Sequence, residues 1–284
     1  MPRKLPTADF RAVRVVLEDD DFALVPDDPD RPPKDLVDEE TWGELFRLPD
    51  TVAYFTSNDH GRELRFMSKL WGECIDQLSP ENQDEISCGI MSASDEFQAA
   101  TFNSLGGYYR VAIDCLRSAL ESVTITTYCQ ARGAKKDFET WQAGDLQIDF
   151  HVACDKLIGA KCTQGLTKFL AARCDTGLFE QRQNGKRGGW VRELYSGLSD
   201  YSHCRPTFQS ADMWGGSNGP IYEEEAFEWT HRLWLQTLGT FFIFVKVVRP
   251  ETTMSPLMQS LFSESCVQEI CALITAAEFL WPPA

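Results

Sequence analysis

The chain of 284 residues has no C-x-x-C pair among its ten cysteines, only four histidines, and no apolar run of the roughly 20 residues that a membrane span requires. Each absence removes a class of function. His60, His151, His203 and His231 stand far apart and no two have zinc-ligand spacing, so neither a metal nor any other cofactor is expected. Neither G-x-x-x-x-G-K-[ST] nor G-x-G-x-x-G occurs, which leaves nucleotide binding without a motif, and H-E-x-x-H is missing as well. The most apolar stretch, Leu233–Val248, is interrupted by Gln236 and Lys246 and reads as a core helix, so no membrane association is expected.

Positive charge is also scarce. The 27 Lys and Arg face 43 Asp and Glu, a net charge of −16, which opposes nonspecific capture of a phosphate backbone. Nucleic acid then needs a local basic site. Residues 1–60 hold 15 Asp/Glu against 7 Lys/Arg, a net of −8 and half of the total excess. The acidity therefore belongs largely to the front of the chain.

What is present divides the chain into two expected parts, residues 1–58 and 59–284. Residues 8–25 carry short β-branched and apolar runs on either side of the acidic Glu18–Asp21 segment, which predicts two short strands or a hairpin. Four prolines between Pro26 and Pro33 then exclude a regular element. Thr51–Thr56 reads as one more extended run. This acidic arm is a candidate surface for a protein partner. Met1-Pro-Arg-Lys leads toward Asp9 and not into an apolar stretch, which with the scattered cysteines predicts reduced, buried thiols in a cytoplasmic protein.

From Gly61 the period becomes helical. Leu64, Met67, Leu70, Trp71, Cys74 and Leu78 share one face of a helix that Ser79-Pro80 ends. A second helix is expected from Ser94, continuing through Gly106-Gly107 to Ala131, with Tyr109, Ile113, Leu116, Leu120 and Val123 as its apolar face. The glycine pair marks a kink or a close helix crossing. Further helices are expected at about 136–143, 146–158, 163–173, 189–201, 222–248 and 258–279. The fold class is mainly α, a helical bundle with a small N-terminal β-containing arm.

Three groups of residues are candidates for function. Arg110, Asp114, Arg117 and Glu121 lie at spacings of 4, 7 and 11, so opposite charges alternate along one helix stripe. The stripe is either a solvated face or the lining of a groove or interface. In the helix over 189–201, Leu194, Leu198 and Tyr201 form the core face, while Arg192, Ser196, Ser199 and His203 share another. Arg192 and His203 are about 16 Å apart along a helix, too far to cooperate, and Arg205 is the nearer cation. The third group is the loop Asp212–Tyr222. There Trp214 and Tyr222 offer flat faces beside Asn218. The short basic runs Arg132–Lys136 and Arg182–Arg187 are further phosphate contacts or solvated loops.

The helix from Tyr108 to Glu121 (YYRVAIDCLRSALE), followed by LYSGLSDYSH ending at His203, resembles the HEPN-like, abortive-infection-type group of bacterial helical proteins over residues 90–250. The resemblance implies a four-helix-type bundle, a homo-oligomer such as a dimer, and a role in phage defence or toxin–antitoxin pairs. The resemblance implies that active members are metal-independent endoribonucleases whose motif is an Arg separated from a following His by four to six residues. Here His203 is the residue that carries over, since Leu198, Gly197 and Ser196 occupy the positions five to seven before it and Arg192 lies further upstream. A histidine exchanges protons near neutral pH, and an arginine such as Arg205 or Arg117 would stabilise a pentavalent phosphate. The alternative is a noncatalytic helical interaction module.

Overall fold

The computed structural model describes residues 39–78, 84–181, 188–202 and 220–282. Contacts divide the chain into two units, Met1–Leu48 and Pro49–Ala284. In the first, the described residues form a short helix, α1 (Glu39–Trp42), and a π-helical turn, Gly43–Arg47. The strands expected over 8–25 and the Pro-rich segment lie outside the described residues.

The second unit is helical, with no strand among its described residues. Its elements run α2 (Leu48–Leu78), α3 (Glu85–Leu105), α4 (Tyr109–Arg132), α5 (Lys135–Gln142), α6 (Phe150–Ile158), α7 (Gln164–Ala171) and α8 (Trp190–Ser202). They continue with α9 (Glu224–Val248), α10 (Pro256–Leu261), α11 (Ser265–Gln268) and α12 (Cys271–Leu280).

Several expectations are corrected. Thr51–Thr56 is helical and not extended: Val52 turns inward, and the Thr56 hydroxyl donates to the Val52 carbonyl at 2.9 Å, one helical turn back. The expected division at 58/59 falls within α2, beside His60, whose φ of −121° and ψ of 24° kink the helix. Helix α3 starts at Glu85, upstream of Ser94, because Asp84 caps it, accepting from the Ser87 amide at 3.1 Å. Arg249, just past α9, donates to the same Asp84 carboxylate at 2.5 Å and ties the two helix ends together. Asp149 similarly sets the start of α6 at Phe150, accepting from His151 and Val152. The single helix expected over 258–279 is three short ones, the first capped by Ser255.

Gly106-Gly107 is no kink in a long helix but the turn between two helices. Gly107 has a φ of +79°, and a Cβ there would lie 2.2 Å from the Ile221 carbonyl oxygen. Only glycine meets both demands. The chain reverses, α4 returns along α3, and Gly89 lets them approach closely, since a Cβ on it would fall 2.1 Å from Thr126 Oγ1.

Helix α4 is the hub of the bundle, packed against α3, α9, α8 and α6. Its expected apolar face, Tyr109, Ile113, Leu116, Leu120 and Val123, is buried throughout. Leu233–Val248 lies in α9 as a core helix, and no helix among the described residues is long and apolar enough to cross a membrane. Aromatic rings join α2 to the rest: Trp71 lies 4.8 Å from Phe97, which meets Trp234 edge-on at 5.3 Å. The expectation of reduced thiols fails at one pair. Cys174 and Cys271 form a disulfide with Cα atoms 6.1 Å apart, brought together where α7 packs on α12. Seven other described cysteines are free, and Cys204 lies outside the described residues.

Gly107→Ala is expected to destabilise the protein by about 3 kcal/mol, combining left-handed backbone strain with overlap at Ile221. Gly133→Ala, with φ +61° but open space around it, is the control and costs about 1 kcal/mol. Urea unfolding of both variants measures the difference. The disulfide closes a separation of 97 residues. Reduction is expected to lower stability by about 2–4 kcal/mol, and Cys174→Ser should show the same loss with no further response to reductant.

Candidate functional site

The charged stripe of α4 runs beside α8, with Arg117 and Glu121 half-buried and Arg110 and Asp114 exposed. Arg117 is the centre. Its Nε donates to Ser199 Oγ at 3.1 Å and its Nη2 to the Tyr195 hydroxyl at 2.9 Å, while Asp114 and Glu121 flank it at 3.8 and 3.6 Å. Tyr195 donates onward to Glu121 at 3.2 Å. Burial, reinforced by the Glu121 carboxylate, pushes the Tyr195 phenol above its ordinary value. It is therefore a proton donor in a closed ring and not a phenolate base. The ring of Tyr195 stacks on Phe150 at 3.8 Å, which carries the seam on to α6.

Arg192 belongs to the α6–α8 contact. It donates to His151 Nδ1 at 3.0 Å, to the His151 carbonyl at 3.1 Å and to the Phe179 carbonyl at 3.0 Å, and it pairs with Asp155. A guanidinium has only donors, so His151 Nδ1 accepts and its ring proton sits on Nε2. The Arg192 side chain is 11% exposed and engaged in this contact. Sequence spacing gave no sign of His151, which meets Arg192 only through the packing of α6 on α8.

Arg110, at the other end of the stripe, is exposed and donates to the Tyr201 carbonyl at 3.4 Å. The stripe thus ends where α8 ends, one residue short of Ser202. His203, Arg205, Trp214 and Asn218 lie outside the described residues. Tyr222 is described, and it closes onto α2: its hydroxyl donates to Asp59 Oδ2 at 2.6 Å and its ring stacks on Phe55 at 6.2 Å. That hydrogen bond holds the Asp59 carboxyl below its usual range and raises the Tyr222 phenol. In the basic run 132–136, Arg132 donates to the Lys156 carbonyl at 2.9 Å; residues 182–187 lie outside the described residues.

No protein-family model, curated protein or solved structure matches this chain. The site is read from its own geometry.

A cavity of about 710 Å³ opens beside the same end of α8, between Tyr201, the kink of α2 and the first turns of α9. His60 and His231 line it, and both were passed over in the sequence because nothing in their spacing pairs them. His60 stacks on Phe227 at 4.3 Å, and Phe227 lies parallel to His231 at 6.3 Å. The buried Nε2 atoms of both histidines have no hydrogen-bond partner among the described residues. Burial lowers the His231 pKa to about 4, against an opposing pull from Glu63. No group of three His, Cys, Asp or Glu among the described residues has the arrangement to hold a metal ion.

A neutral buried His231 makes stability depend on pH. The unfolded chain binds a proton near 6.5 and the folded one only near 4, so stability is full above about pH 6.5 and is lost as pH falls toward 4. Between pH 7 and 5 the expected loss is about 2 kcal/mol. His231→Gln removes a titrating group, and urea unfolding at the two pH values should show a correspondingly smaller difference.

Proposed function

We propose that the chain is a HEPN-like protein of bacterial defence type that binds RNA at the C-terminal end of α8 without cleaving it through Arg192. The observation that carries this reading is the contact of Arg110 with the Tyr201 carbonyl, which brings the α4 stripe to the point where the chain continues to His203 and Arg205. The guanidinium of Arg110, with Arg205 and the His203 imidazole two residues apart in the sequence, suits a phosphate and a base. Binding is favoured over cleavage because Arg117 lies between Asp114 and Glu121 and Arg192 is paired with Asp155. Neither guanidinium is open to a phosphate that gains charge. The same neutralisation favours, as the second reading, a noncatalytic subunit of a defence complex, with partners met through the acidic N-terminal arm or a second copy of the chain.

Fluorescence anisotropy with a single-stranded RNA oligonucleotide at 50 and 200 mM salt tests the proposal. Binding at low salt that weakens as salt rises is expected. Arg110→Ala should weaken it by about fivefold, the equivalent of about 1 kcal/mol. Metal-free incubation should leave the RNA intact in both wild type and His203→Ala. Cleavage that His203→Ala abolishes would restore the nuclease reading, and absence of RNA binding at 50 mM salt would leave the interaction module.

A further inference from the structure

The cavity beside α8 has the size of a site for an organic molecule, at about 710 Å³. Its charge is one-sided. Among the described residues, Glu63, Glu225, Glu228 and Glu264 line it, opposed by Arg232, and Arg232 is already paired with Glu269. Such a wall repels phosphate and carboxylate and concentrates cations. Its apolar surface is flat: Trp229, 37% exposed, presents an indole ring, with Tyr201 and Phe227 nearby. Arg232 lies 5.5 Å from the Trp229 ring centre, so this indole already holds one cation against its face.

The histidines supply the second, independent sign of a ligand. His60 is only 7% exposed, and its Nε2 is buried with no partner among the described residues. His231 Nε2 is likewise buried without a partner among the described residues, and its ring lies parallel to Phe227 at 6.3 Å. A buried polar nitrogen left unpaired costs about 1–3 kcal/mol, and two of them on one cavity wall are groups that a bound molecule would satisfy. The carboxylates do not form a three-ligand metal cluster among the described residues, so the geometry suits a larger, organic cation.

We propose that this cavity binds a small organic cation carrying a flat ring, of the aromatic amine or amidine class. The ring lies against Trp229 and Tyr201, the cationic group faces Glu225 and Glu228, and the imidazoles of His60 and His231 hydrogen-bond the remaining polar atoms. This ligand is distinct from RNA, whose phosphates the same carboxylates exclude.

Isothermal titration calorimetry of the full chain with tryptamine, benzamidine and indole-3-acetate tests the proposal. Tryptamine and indole-3-acetate share a ring and differ in the sign of their charge. One-to-one binding of tryptamine is expected, with indole-3-acetate at least tenfold weaker. Glu225 and Glu228 are exposed, so the double substitution Glu225→Gln, Glu228→Gln retains the fold, checked by an unchanged circular dichroism spectrum, and should weaken tryptamine at least tenfold. Trp229→Ala should weaken it too. The proposal is overturned if neither cation binds at millimolar concentration, if the anion binds as well as tryptamine, or if the double variant binds tryptamine unchanged.

Discussion

The close approach of α3 to α4 is the constraint on which the rest of the bundle depends. Gly89 lies under the Thr126 side chain, at a distance no Cβ could share, and Gly107 turns the chain at the near end in a left-handed conformation over the Ile221 backbone. Two helices drawn this tightly together leave α4 with its remaining faces toward α9, α6 and α8. A helix covered on so many sides must find partners for its polar residues inside the protein. The Arg117 cluster meets that demand. Arginine, two carboxylates, a phenol and a hydroxyl satisfy one another across the α4–α8 seam. Because hydrogen bonds between such groups need particular distances, the cluster specifies the register of α8 more than it adds net stability.

The cavity follows the opposite logic. Among the described residues, its histidines have buried nitrogens with no partner, its carboxylates outnumber its cation, and Trp229 stays partly open. A folded chain that satisfies its polar groups so fully at one seam, and leaves them unsatisfied a few residues away, retains a cost that packing alone does not explain. Sites that bind something are where such costs persist. Tyr201 belongs to both regions: its carbonyl accepts from Arg110 of the stripe, while its ring lines the cavity.

Much of the bundle could be read from the sequence because apolar periodicity reports which face of a helix is buried. Every residue assigned to the apolar face of α4 is buried, and Leu233–Val248 is a core helix as its polar interruptions implied. Periodicity does not say where a helix stops when the pattern resumes beyond the break. That is why the helix pair α3 and α4 read as one, and why α10, α11 and α12 did so too. Thr51–Thr56 misled for a local reason: β-branched residues favour strands only weakly, and a threonine hydroxyl that bonds one turn back is at home in a helix. The candidate stripe was legible as a shared face, but the sequence holds no information on what stands opposite it. His60 with His231, Arg192 with His151, and Cys174 with Cys271 are long-range meetings that only the packing of helices creates.

The net charge of −16 takes on a different meaning once it is located. At the level of composition it opposes capture of a phosphate backbone, yet half of the excess lies in residues 1–60 of the sequence. Within the bundle, the four cavity carboxylates form a local field that reaches about 8 Å at physiological salt before screening removes most of it. Those carboxylates repel a phosphate from the cavity. An organic cation has the reverse preference, since a guanidinium repels it and glutamates attract it. Tyr201 thus joins the Arg110 contact to a cavity whose carboxylates favour ligands of positive charge.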